Sequence, residues 1–149
     1  MKKPVLFLRI ASVLTLIHAV LHTVGGVFGK IDPGPASVAV EAMKVNQFLF
    51  MGTLRSYWEF FRGMGLMVTI FLTAEAVIFW QLSSLAKSDS RRLRPILATF
   101  AVAYAALALD SFTYFFLVPV IVEAAIALLL GLALVTAKPG AAGSAGVLK

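Results

Sequence analysis

Four long apolar blocks, residues 5–29, 57–85, 95–111 and 115–136, alternate with short polar segments. An α-helix rises about 1.5 Å per residue, so roughly 20 apolar residues cross a hydrocarbon core about 30 Å thick. Blocks of this length dictate an all-α polytopic membrane protein, a four-helix transmembrane bundle. Composition agrees. Hydrophobic residues make up 60% and charged residues 13%, against about 45–50% and about 25% in soluble domains. Mean hydropathy is +0.95. The reading is one domain over residues 1–137, followed by a flexible cytoplasmic tail, 138–149, rich in glycine and alanine.

The net charge of +6 does not indicate nucleic-acid binding, because the cations are placed by topology. Lys2, Lys3 and Arg9 flank the first block, Lys87, Arg91, Arg92 and Arg94 fill one loop, and Lys138 and Lys149 lie in the tail. Basic residues in alternate loops mark the cytoplasmic side. Four spans then put both termini in the cytoplasm, and the expected location is a bacterial inner membrane. The "MKK" start resembles a secretory n-region, but the apolar run is too long and has no A-x-A signal. It reads as a retained helix. The chain has no cysteine, which excludes disulfides, thiolate metal sites and cysteine nucleophiles.

Residues 30–56 form the one substantial loop. "KIDPGP" breaks any helix. The following "ASVAVEAMKVNQFLFMGTLRSYW" mixes Val38, Val40, Met43, Val45, Phe48 and Leu49 with Glu41, Lys44, Asn46 and Gln47. Two readings fit, a short amphipathic helix along the membrane surface and a plain extracytoplasmic loop. Tyr57, Trp58, Phe60, Phe61, Phe112, Tyr114, Phe115 and Phe116 gather at the expected outer interface, with Phe79 and Trp80 at the inner one.

Within that topology the ionisable residues sort by depth. "HAVLH" puts His18 and His22 one helical turn apart. His18, His22, Glu59, Arg62, Asp110 and Glu123, drawn from all four helices, fall in the outer half of the bilayer; Glu75 falls toward the inner half. Each helix also carries a stripe of small and polar residues suited to close packing: Ser12, Thr15, His18 and His22; Arg55, Glu59, Arg62 and Leu66; Thr99, Ala103, Ala106 and Asp110; Glu123, Ala127 and Gly131. The expectation is that these stripes face one another. It places His22 against Glu59 directly or through one water, and His18, His22, Tyr57, Glu59, Arg62, Asp110 and Glu123 in one candidate ligand-binding cluster. Glu75 is expected to contact a neighbouring helix or a partner.

Specific chemistries find less support. His18 and His22 present two imidazoles on one helix face, but "HAVLH" lacks the glutamate of H-E-x-x-H, and no metal is expected. Two histidines on one helix cannot ligate a haem from both sides. No G-x-S-x-G, phosphate loop or dinucleotide fingerprint is present, so the sequence names no catalytic residue and no cofactor.

"HAVLHTVGG", "SYWEFFRGMGL" and "FFLVPVIVE", in that order and spacing, resemble the motifs of an uncharacterised family of small four-helix bacterial integral membrane proteins. The resemblance spans most of residues 5–136. It implies an inner-membrane helical bundle and no activity, with His22, Gly25, Tyr57, Glu59, Gly63, Gly65, Pro119 and Glu123 as the matching positions. Size and helix count also resemble sterol-isomerase-like and quinone-related bundles, by architecture alone.

Three function classes follow. The polar cluster binds a small lipophilic ligand or handles protons; it fixes helix packing in a structural or accessory subunit; or it serves a membrane enzyme acting on a lipid-like substrate. The residues lean away from the enzyme. The expected partners are the lipid bilayer and either a second copy or another membrane subunit.

Overall fold

The computed structural model describes residues 2–137. The tail read as flexible, with Lys138 and Lys149, lies outside the described residues. Helices dominate: α1 (Lys3–Leu21), α2 (Pro35–Val45), α3 (Tyr57–Asp89), α4 (Arg94–Tyr114) and α5 (Leu117–Thr136). α1 continues as a π-helical turn over His22–Val27, so that the described residues contain four helices long and apolar enough to cross a membrane. α3, at 33 residues, spans roughly 50 Å and outlasts the hydrocarbon core.

Residues 30–56 are where the structure departs most from the expectation. Pro35 opens α2, and the Ser37 hydroxyl reaches back to accept the Gly34 N–H at 3.1 Å. α2 ends at Val45. The chain then forms a hairpin, β1 (Gln47–Phe50) and β2 (Thr53–Ser56), with Phe48 opposite Arg55 and Leu49 opposite Leu54. Met51 and Gly52 turn it with φ of 47° and 80°, two positive values in a two-residue loop, as a type I′ turn requires. The helical reading of this stretch holds only as far as Val45. The helix gives way to a hairpin where the β-prone run "QFLF" meets the turn glycine Gly52.

The start of α3 has a local cause. The Ser56 hydroxyl accepts the Glu59 N–H at 3.1 Å, and the Glu59 carboxylate accepts the Ser56 N–H at 2.8 Å. This reciprocal capping box satisfies two otherwise orphan donors and contributes about 1 kcal/mol to the helix. The "SYWE" spacing announces it.

The described chain forms two compact units. One comprises the residues up to Leu16 and those from Ala74 onward; the other is Ile17–Thr73. In the first, four helical segments share a core of Val5, Leu8, Ala11, Phe79, Ala86, Leu97, Tyr104, Ile126, Leu130 and Ala133. Between helices in lipid, whose tails are as apolar as leucine, close packing and interhelical hydrogen bonds rather than exclusion from water hold a core together. Alanines at 11, 76, 86 and 133 let backbones approach, and the Ser12 hydroxyl donates to the Ala76 carbonyl at 2.6 Å. Phe79 meets Phe100 edge to face at 5.0 Å between centroids. Phe115 and Phe116 alone link α4 to α5, a connection short enough to make them antiparallel neighbours.

At one end of this unit the cations collect. Lys2 Nζ donates to the Lys87 carbonyl at 2.7 Å, and Arg94 Nη1 donates to the Leu134 carbonyl at 3.1 Å in the last turn of α5. The start of α1, the end of α3 and the end of α5 therefore share that end.

In the second unit the π-helical turn is the distinctive element. The Phe28 N–H donates to the Thr23 carbonyl, five residues back, at 3.0 Å. α2 buries none of its residues in this unit or elsewhere in the described chain.

Candidate functional site

The two units divide the sequence-predicted cluster. His18, His22, Tyr57, Glu59 and Arg62 belong to Ile17–Thr73, and Asp110 and Glu123 to the other unit.

In the Ile17–Thr73 unit most of the polar side chains have partners of their own. His22 Nε2 donates to the Gly65 carbonyl on α3 at 3.0 Å. The Thr23 hydroxyl donates to the Ala19 carbonyl at 2.6 Å and accepts from the Thr69 hydroxyl at 2.9 Å. The Arg62 guanidinium lies over the Phe28 ring, 4.8 Å from its centroid. Tyr57 is exposed, with its ring 4.8 Å from that of Phe48. The Glu59 carboxylate is bound by Ser56, not by His22 as the stripe argument expects, because the N-terminal cap uses it first. His18, one turn before His22, is half-buried, and its Nδ1 is buried without a hydrogen-bond partner.

The other unit contains the arrangement with the most chemistry. Tyr104, in α4, is fully buried, and its hydroxyl donates to Glu75 Oε2, in α3, at 2.6 Å. Thr15, in α1 and also fully buried, is a further neighbour of the phenol, and its hydroxyl donates to the Ala11 carbonyl at 2.8 Å. Glu123, in α5, is the next charged neighbour of Tyr104 and is 6% exposed. Ser111 contacts its carboxyl, yet Glu123 Oε2 is buried with no partner. Asp110 stands near Glu123 but is exposed. The buried phenol of Tyr104 thus bonds a half-buried carboxylate, Glu75, and has a buried one, Glu123, as a further neighbour, on three helices of one unit.

This cluster is only half visible in the sequence. Glu123 is a candidate there, and Glu75 is expected to touch a neighbouring helix, which it does. Tyr104 escapes the sequence reading, which gives the inward face of α4 to its stripe of small residues. That stripe, Thr99, Ala103, Ala106 and Asp110, is not buried; the buried face carries Leu97, Tyr104 and Ser111. The available signal is the tyrosine itself. A phenol in the middle of an apolar span must find a hydrogen-bond partner. No protein-family model, no curated protein and no solved structure matches the chain.

Proposed function

We propose that this chain is a multi-pass protein of a bacterial inner membrane, with both termini cytoplasmic, whose Glu75–Tyr104–Glu123 cluster takes up and releases protons. The orientation is supported by the basic end of one unit, where Lys2 bonds the Lys87 carbonyl near the end of α3 and Arg94 bonds the Leu134 carbonyl in the last turn of α5. A reporter active only in the periplasm is expected to give signal when inserted at Gly34 and none when fused after Lys149. The opposite pattern would reverse the topology.

One observation carries the proton-handling reading: a carboxyl oxygen of Glu123, buried and undonated, next to a phenol already committed to a second carboxyl. A buried acceptor left unpaired costs about 1–3 kcal/mol. A carboxylate charge there costs more unless a proton or another donor arrives. A proton on Oε2 would itself supply the donor that the site lacks. Tyr104 is hydrogen-bonded to Glu75 and has Glu123 as a further neighbour, and in this reading the phenol relays the proton. Ionisable groups inside membranes are costly, and proton relays are one of the roles for which they are kept.

The test is infrared difference spectroscopy of the reconstituted protein across a pH titration. A protonated-carboxyl band is expected to titrate, to lose a component in Glu123→Gln and to shift in Glu75→Gln, with helix content unchanged. The competing reading, a closed network that only fixes helix register, is favoured by the completed Tyr104–Glu75 bond. It predicts no carboxyl band that moves with pH.

A further inference from the structure

The hairpin turn contains an anomaly. Met51 sits at φ 47°, a left-handed conformation that glycine, asparagine and aspartate adopt easily and an unbranched apolar side chain does not. The same methionine is 90% exposed, the most exposed large apolar residue described. Beside it Phe50 is exposed, Leu49 is 70% exposed, and Leu54, paired across from Leu49, is exposed as well. A turn in water would put asparagine at this position. Methionine there costs conformational free energy and, within the described chain, recovers nothing by packing.

The occupant that explains it is set by what the hairpin is tied to. β2 runs without a linker into α3, with Ser56 as the cap. The Tyr57 N–H donates to the Asn46 carbonyl at 3.3 Å and so closes the hairpin base on the first turn of α3. Phe48 of β1 packs on Tyr57 and on Phe60, with centroids 4.8 and 5.8 Å apart. The hairpin is thus held at the level of Tyr57, Trp58, Phe60 and Phe61, an aromatic belt of the kind that marks a membrane–water boundary. Arg55, exposed on β2, can lay its stem along apolar surface and reach a headgroup phosphate.

We infer that the β1–β2 hairpin is an interfacial lipid anchor, with Met51, Phe50, Leu49 and Leu54 set into the headgroup–acyl boundary of the leaflet where α3 begins. The inference rests on α3 spanning a membrane, and the experiment separates the two. The chain has no cysteine, so Met51→Cys and Ile70→Cys each accept one nitroxide spin label in the full chain reconstituted in phosphatidylethanolamine–phosphatidylglycerol vesicles. Collision with oxygen, which concentrates in lipid, is compared with collision with a water-soluble nickel chelate. Ile70, exposed in the interior of α3, is expected to favour oxygen strongly; failure there overturns the membrane-spanning reading itself. Given that control, a label at position 51 is expected to favour oxygen several-fold. Preference for the nickel chelate, or an immobilised label reached by neither reagent, overturns the anchor; the second outcome means that a protein surface covers the hairpin. Met51→Asn keeps the turn geometry and removes the apolar side chain. In that background a label introduced by Leu54→Cys is expected to lose most of its preference for oxygen, and an unchanged preference overturns the role of Met51.

Discussion

Truncating Tyr104 to alanine is expected to lower the stability of the folded protein by about 3–5 kcal/mol, the range for removing a large aromatic side chain from a packed core. The ring is fully buried, lies 6.0 Å from Phe79 between centroids, and fills the space where α1, α3 and α4 approach. Solvent exclusion does not make up for the dispersion attraction that the ring supplies, because lipid would be an equally apolar neighbour. Tyr104→Phe keeps the ring and removes only the donor to Glu75 Oε2. Its expected loss is about 0.6 kcal/mol, and no more than about 1.7, the span measured for interhelical polar contacts in membranes. Reversible unfolding in bicelles, by steric trapping or denaturant titration, separates the variants. Equal losses for Tyr104→Ala and Tyr104→Phe would show that the hydroxyl, not the ring, holds the core. The proton-handling reading adds one requirement: Tyr104→Phe must alter the titrating carboxyl band even where stability barely changes.

Gly29→Ala is expected to be the most damaging single-methyl addition in the Ile17–Thr73 unit. A Cβ at position 29 collides with the Gly25 carbonyl, a backbone atom that cannot rotate away. That carbonyl belongs to the π-helical turn, so relief requires the turn to rewind. Overpacking of this sort costs about 1–3 kcal/mol. Gly25→Ala supplies the internal control, since a Cβ there meets nothing within 4 Å. The same unfolding measurement is expected to rank Gly29→Ala well below Gly25→Ala, and parity between them would mean that the π-helical turn is not rigid. A second readout follows from position. Rewinding the turn by one residue rotates His22 away from the Gly65 carbonyl, so the histidine ring resonances in Gly29→Ala are expected to shift while those in Gly25→Ala stay near their wild-type positions.

How far the sequence reaches depends on the length scale of the interaction. Hydropathy over some twenty residues is a property of the chain itself. It places α3, α4 and α5 within a few residues of their observed bounds and runs α1 together with the π-helical turn that follows it, while Pro35, read as a helix breaker, instead opens α2. The Ser56–Glu59 cap and the Met51–Gly52 turn are equally local and are written in "SYWE" and "FMGT". Reading the segment's apolar residues at helical period hides both. On α1 the polar stripe points inward as expected, with Ser12 and Thr15 buried.

Only the tertiary structure decided which face of α4 turns inward and which acids meet. In an apolar span nearly every face is compatible with lipid, so periodicity loses the contrast between buried and exposed that guides the reading of soluble helices. The choice then falls to packing between specific partners. Tyr104 fits beside Phe79 and finds Glu75; the smaller stripe ending at Asp110 does not compete for that space. Glu59 is claimed by its own helix cap before any neighbour can reach it. Where the helices run was determined by solvent preference along the chain, and what their polar groups touch by shape complementarity across it.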